Sequence, residues 1–166
     1  MVTRRRTLAT GLVLLAGGTL GSLGRQARAQ SLEQAMEESD LIYLTPLKSD
    51  GSESRCQAEV WFARHDADLF VVTSSDAWRA RAVERGLTRT RVWVGDVGVW
   101  SDSGGGYRAL PQIEADASVV ADADVQNAVL DVMGDKYRMS WLVWGPRFRN
   151  GLSDGSRVML RYHPAA

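Results

Sequence analysis

One stretch of the chain carries the residue types that an anion-binding site needs. It reads Leu69-Phe-Val-Val-Thr-Ser-Ser-Asp-Ala-Trp-Arg-Ala-Arg81, an apolar run ending in hydroxyls, then a helix start with two arginines. Thr73, Ser74 and Ser75 offer hydroxyls, the helix start offers backbone N–H groups, and Arg79 and Arg81 offer guanidinium forks. Such a set can cradle a phosphate. The same residues also read as a capped helix with solvated arginines, and spacing alone leaves both readings open.

Other arrangements fail on chemistry. A hydrolytic triad needs a nucleophile beside a histidine, but His65 sits in a turn, His163 near the C-terminus, and neither follows a Gly-x-Ser-x-Gly elbow. The loop Ser101-Asp-Ser-Gly-Gly-Gly106 lacks the Lys-Ser/Thr that completes a phosphate loop and runs into a strand pattern. Asp122 and Asp124 lack the spaced oxygens and closing Glu of a calcium loop, and helix capping explains them. Two histidines and one cysteine exclude a disulfide framework and Cys-rich metal centres. Cys56 reads as a buried apolar strand residue.

The elements that must position the Thr73–Arg81 stretch follow from periodicity. A short helix over Ser31–Glu38 precedes a strand over Leu41–Leu47, and Asp50-Gly51 signals a hairpin. Arg55–Phe62 and Leu69–Thr73 complete a three-stranded meander. A helix over Asp76–Arg85 has Asp76 as N-cap and Gly86 as stop. Strands are expected over Arg89–Gly95, Tyr107–Pro111, Glu114–Ala121 and Arg157–Tyr162. The helix Asp124–Met133 places Val125, Ala128, Val129, Val132 and Met133 on one face, and Gly134 is expected to end it. Six or seven short strands with two inserted helices point to a small, mainly β barrel.

The 166 residues balance 20 basic against 20 acidic side chains, but the two ends differ. Residues 1–29 hold five arginines and no acid, leaving 15 basic and 20 acidic residues, a net of −5, in Gln30–Ala166. An acidic body of this kind excludes a phosphate backbone, and so nucleic acid, as a natural partner. The first 29 residues read as an export signal. Arg5-Arg6-Thr7-Leu8 fits the twin-arginine type, an apolar run follows over Leu8–Leu23, and Ala27-Arg28-Ala29 is a small-x-small cleavage site. The expected organisation is therefore a signal peptide over 1–29 and one domain over 30–166. The partner it implies is the twin-arginine machinery, and the destination is the periplasm or the exterior.

The order of motifs resembles the FMN-binding split barrel of the pyridoxamine 5′-phosphate oxidase-like superfamily. The resemblance runs through Tyr43-Leu-Thr-Pro46, Ser49-Asp-Gly51, Glu59-Val-Trp-Phe62, Thr73, Trp78-Arg-Ala-Arg81 and Thr90-Arg-Val-Trp-Val-Gly95. It continues through Asp135-Lys-Tyr137, Trp141 and Val158-Met-Leu-Arg-Tyr162. Ala77 stands where many members have Ser, Arg79 where many have Lys, and no substrate segment of a true pyridoxamine phosphate oxidase is recognisable. The resemblance implies an antiparallel split barrel and an FMN- or deazaflavin-dependent oxidoreductase of unassigned substrate. It implies Thr73, Ser74, Arg79 and Arg81 on the phosphate and Trp61 beside the cofactor. The alternative it carries is a non-catalytic barrel that binds haem or no cofactor. It also implies a homodimer, a reading that the six tryptophans support, Trp93, Trp100, Trp141 and Trp144 among them.

Overall fold

Alternating side chains sort most of the apolar residues into two sets, one on each side of a single sheet. The computed structural model describes residues 31–165; the expected signal peptide lies outside them. Helix α1 spans residues 31–38 and sets Leu32, Ala35 and Met36 against the sheet interior. The strands are β1 (Leu41–Pro46), β2 (Ala58–Trp61), β3 (Ala63–His65), β4 (Asp68–Ser74), β5 (Arg89–Val94), β6 (Gln112–Val120) and β7 (Arg157–Pro164). Helix α2 (Trp78–Glu84) joins β4 to β5, and the long α3 (Ala123–Asp154) joins β6 to β7.

All pairs are antiparallel, in the order β2-β1-β5-β6-β7-β4-β3. The two ends of that order, β2 and β3, are neighbours in the chain with only Phe62 between them. One bent strand therefore pairs with β1 before the bend and with β4 after it, which closes the sheet into a barrel split at Phe62. Inside lie Ile42, Leu44, Phe62, Leu69, Val71, Val92, Val94, Leu160 and Tyr162. Outside, Phe70, Val72 and Met159 pack beneath Val129, Leu130 and Met133 of α3. A third cluster, Tyr43 and Trp93 under Tyr107, covers the outer face of β1 and β5. The antiparallel split-barrel fold expected from the sequence is the fold observed.

Several local expectations are corrected. The second strand starts at Ala58, not Arg55, because Ser54 bonds to Thr45 and to the Cys56 N–H and holds the intervening residues off the ladder. Cys56 is half-exposed in that loop, not a buried strand residue. Asp76 does not cap α2: the N-cap is Ala77, without a side-chain bond, and Asp76 pairs with Arg81 at 2.8 Å. Tyr107–Pro111 is not a strand. Gly104 and Gly105 take left-handed φ values of 58° and 86°, and Gly106–Ala109 follows as a 3₁₀ turn that docks Tyr107 on Tyr43 at 5.3 Å.

The largest correction concerns Gly134, which does not end its helix. Helix α3 runs on to Asp154 and bends sharply at Arg138, whose φ of 40° is not helical. Gly134 is a packing residue. A Cβ there would lie 3.0 Å from the Trp141 indole nitrogen, and one at Gly145 only 2.8 Å from it. The two glycines form the notch that lets the second half of α3 fold back on the first around Trp141.

Candidate functional site

Strand alternation decides which of the expected phosphate ligands can meet. Along β4, Leu69 and Val71 point inward, so Thr73 does too, whereas Ser74 points out and is exposed. Thr73 is 2% exposed and its hydroxyl has no hydrogen-bond partner. Ser74 uses its Oγ to accept the Asp76 N–H at 3.3 Å, and Ser75 donates to the Ser156 carbonyl. On α2 the two arginines also part. Arg81 is exposed and held by Asp76, while Arg79 is half-buried with its Nε out of solvent and unbonded.

Arg79 makes no ion pair among the described residues. Burial holds its guanidinium below the usual arginine range, and the phenol of Tyr162 and the carboxylate of Glu59 offset this in part. A desolvated guanidinium with no acid partner is costly, because water's hydrogen bonds are lost and little replaces them. Two polar groups without protein partners thus flank the turn between β4 and α2, the Thr73 hydroxyl near the strand end and the Arg79 Nε in the first turn of the helix. Their chemistry fits an anionic oxygen group such as a phosphate. Ser74 and Arg81 do not belong to that set.

Trp61, expected beside the cofactor, lies on the other side of the barrel wall. It packs with the outer cluster, stacked on Tyr137 with ring centroids 4.2 Å apart and edge-on to Trp144 at 6.1 Å. The stack marks the seam of the barrel. At the bend, the Phe62 N–H donates to the Tyr137 hydroxyl at 2.8 Å, and that hydroxyl lies 2.8 Å from both the Phe62 and the Asp40 carbonyl. Beside it, Lys136 bonds the Phe62 carbonyl at 3.3 Å and sits 3.4 Å from the centre of the Phe62 ring. Burial pulls the Lys136 ammonium down to about 8, against the charge of Asp40, and pushes the Tyr137 phenol up. The pair Lys136-Tyr137 was legible in sequence only as part of a family pattern. Its inward position depends on the helix running past Gly134.

A second cluster gathers both histidines at the corner where β3, β4 and β7 meet. His163 Nδ1 lies 2.6 Å from Asp68, a carboxylate that also faces Arg161 at 3.8 Å. His65 packs edge-on against Phe70 at 6.2 Å. Beside them a cavity of about 310 Å³ is lined by His65, Asp68, Phe70, Asp122 and Arg161 among others. Among the described residues no group of three or more His, Cys, Asp and Glu could hold a metal ion.

In sequence the chain matches no family model and no curated protein. Solved structures match it in fold. HutZ, the heme storage protein from Vibrio cholerae, superposes with a TM-score of 0.57 at 19% identity, over 82% of this chain and 89% of that one. A protein from Listeria innocua, provisionally named a pyridoxamine 5′-phosphate oxidase, gives 0.53 at 13% identity over 84% and 94%. A relative of general stress protein 26, of the pyridoxinephosphate oxidase family, from Clostridium acetobutylicum gives 0.52 at 10% identity over 84% of each chain. The shared feature is the split barrel.

Proposed function

We propose that the chain is an exported split-barrel flavoprotein in which Arg79 and Thr73 hold the phosphate of FMN or of a deazaflavin. The supporting observation is the half-buried guanidinium of Arg79, which makes no ion pair among the described residues, with the orphaned Thr73 hydroxyl near the end of the preceding strand. The bound flavin supplies hydride or electron transfer; the chain supplies binding and surroundings. Export rests on the arginine pair and the Ala27-Arg28-Ala29 site, and a mature chain starting at Gln30 is its expected mass signature.

A haem-binding barrel is the second reading. It is favoured by His163, whose Nδ1 is oriented by Asp68 at 2.6 Å, so that its Nε2 would be the nitrogen to hold a haem iron. The absorbance spectrum of the purified protein separates the readings. Flavin bands support the first, a Soret band the second, and a colourless protein that binds neither added FMN nor haem rejects both.

A further inference from the structure

Beyond its bend, helix α3 is apolar on two faces. Trp141, Phe148 and Leu152 turn inward and pack in the cluster outside the barrel wall. Met139, Leu142, Val143 and Pro146, spaced i, i+3, i+4 and i+7, make a second stripe that stands in water. The exposed edge of Trp144 widens it. In a helix that only covers a barrel, the outer positions are polar. Here Ser140 is the one uncharged polar side chain among the exposed residues from 139 to 147. We propose that this stripe docks the chain on the surface of an anionic lipid bilayer, with its apolar side chains at the acyl boundary and its arginines among the headgroups. The contact involves neither Thr73 nor Arg79, so it stands or falls apart from the flavin reading.

Charge identifies the occupant. From Lys136 to Ser153 the chain has four basic residues and no acid, with Asp135 and Asp154 bounding the stretch. The rest of Gln30–Ala166 holds 11 basic against 20 acidic residues, so the sign reverses locally in an acidic body. Lys136 is engaged at the Phe62 carbonyl, and Arg149 pairs with Asp131 at 3.3 Å. Arg138 and Arg147 are exposed and make no ion pair among the described residues. They bracket the stripe, Arg138 one residue before Met139 and Arg147 one after Pro146. The Arg147 guanidinium lies over the Trp144 ring, 5.0 Å from its centre. A cation and an indole side by side at an apolar edge suit the depth of the headgroups.

Other occupants fit less well. A two-fold contact of the stripe with itself would bring the free arginines of two copies to one interface, where like charges oppose association. An acidic protein would need a surface shaped to this helix, whereas a bilayer needs only apolar depth and a basic rim. No helix among the described residues is long and apolar enough to cross a membrane, and the stripe would lie along the surface.

The test reads the stripe locally in the full chain. Cys56 is the chain's one cysteine, so Cys56→Ser clears the background for a polarity-sensitive dye on Leu142→Cys. The same dye on Asp102→Cys, an exposed loop position, is the control. With phosphatidylglycerol vesicles the dye at 142 should shift to the blue and the dye at 102 should not. Salt at about 0.5 M should remove most of the shift, since it screens the headgroup charge. Arg138→Gln combined with Arg147→Gln should raise the lipid needed for half the shift about tenfold or more. Both changes leave Trp141 and Phe148 in place beneath the helix. A shift of equal size on phosphatidylcholine alone overturns the anionic choice. A dye at 142 that vesicles do not move overturns the proposal and leaves the stripe to a protein partner. A dye already blue-shifted in buffer, with a two-chain mass in sedimentation, overturns it in favour of a second copy.

Discussion

At the scale of residues, the molecule holds charge and polarity where water does not reach, and the consequences are measurable. Replacing Arg79 by Ala should weaken FMN binding about ten- to a hundredfold, as loss of a charge-assisted contact of about 1.5–3 kcal/mol requires. Because the guanidinium has no partner in the protein, Arg79→Met should leave the cofactor-free fold as stable or more stable in urea titration. Arg81→Ala removes only an exposed pair with Asp76 and should change affinity by less than about threefold. Fluorescence quenching of added FMN reads the two affinities. Tyr137→Phe should cost about 1–3 kcal/mol, since the Phe62 N–H would lose the hydroxyl that accepts it at a buried bend. The lysine gives a pH signature. Folding lowers its proton affinity to about 8, so the unfolded chain binds more protons between about 8 and 10.5 and stability rises with pH across that window. The buried phenols of Tyr137 and Tyr162 act in the opposite sense above pH 10, where the unfolded chain ionises first. Between pH 8 and 9, urea midpoints should therefore rise more in the wild type than in Lys136→Met.

At the scale of elements, the bent helix α3 is the most demanding piece of construction. Gly145→Ala would put a methyl group 2.8 Å from the Trp141 indole and should destabilise the fold by about 1–3 kcal/mol, despite alanine's better helix propensity. Adding Trp141→Leu should recover much of that loss, a coupling that a double-mutant cycle in urea would register. This notch also explains what the sequence hides. The strands β1, β4, β5 and β7 follow local apolar runs or alternation and were legible, as was the stop at Gly86, whose φ is 79°. Gly134 resembles a helix stop in every local respect, yet its purpose is contact with a ring seven residues ahead. Tyr107 lies in a strand-like pattern, yet its place is set by Tyr43 and Trp93, which no local window contains. Likewise, Thr73 and Arg79 were readable as candidate ligands. That they part from Ser74 and Arg81 follows from which face of β4 and α2 meets the interior.

At the scale of the whole molecule, tryptophan surplus is not what argues for self-association. Trp93 is buried, and Trp61 and Trp141 pack against α3's cluster. The unaccounted apolar surface is instead the bend of α3, where Met139 is 78%, Leu142 71% and Val143 55% exposed. If the homodimer forms there, sedimentation should give a two-chain mass, and Leu142→Glu should return it to one chain with the absorbance spectrum as a check on folding. The order of the sheet has a temporal consequence as well. Strand β7 lies between β6 and β4, so the β3–β4 hairpin has no ladder to the rest until the last strand is in place. Until Arg157–Pro164 is made, the β3–β4 hairpin is therefore joined to β2 only through the bend at Phe62, and β7 acts as the keystone of the ladder. A chain without Arg157–Pro164 would keep Thr73 and Arg79 but lose His163, and would have no closed barrel to hold a ligand in.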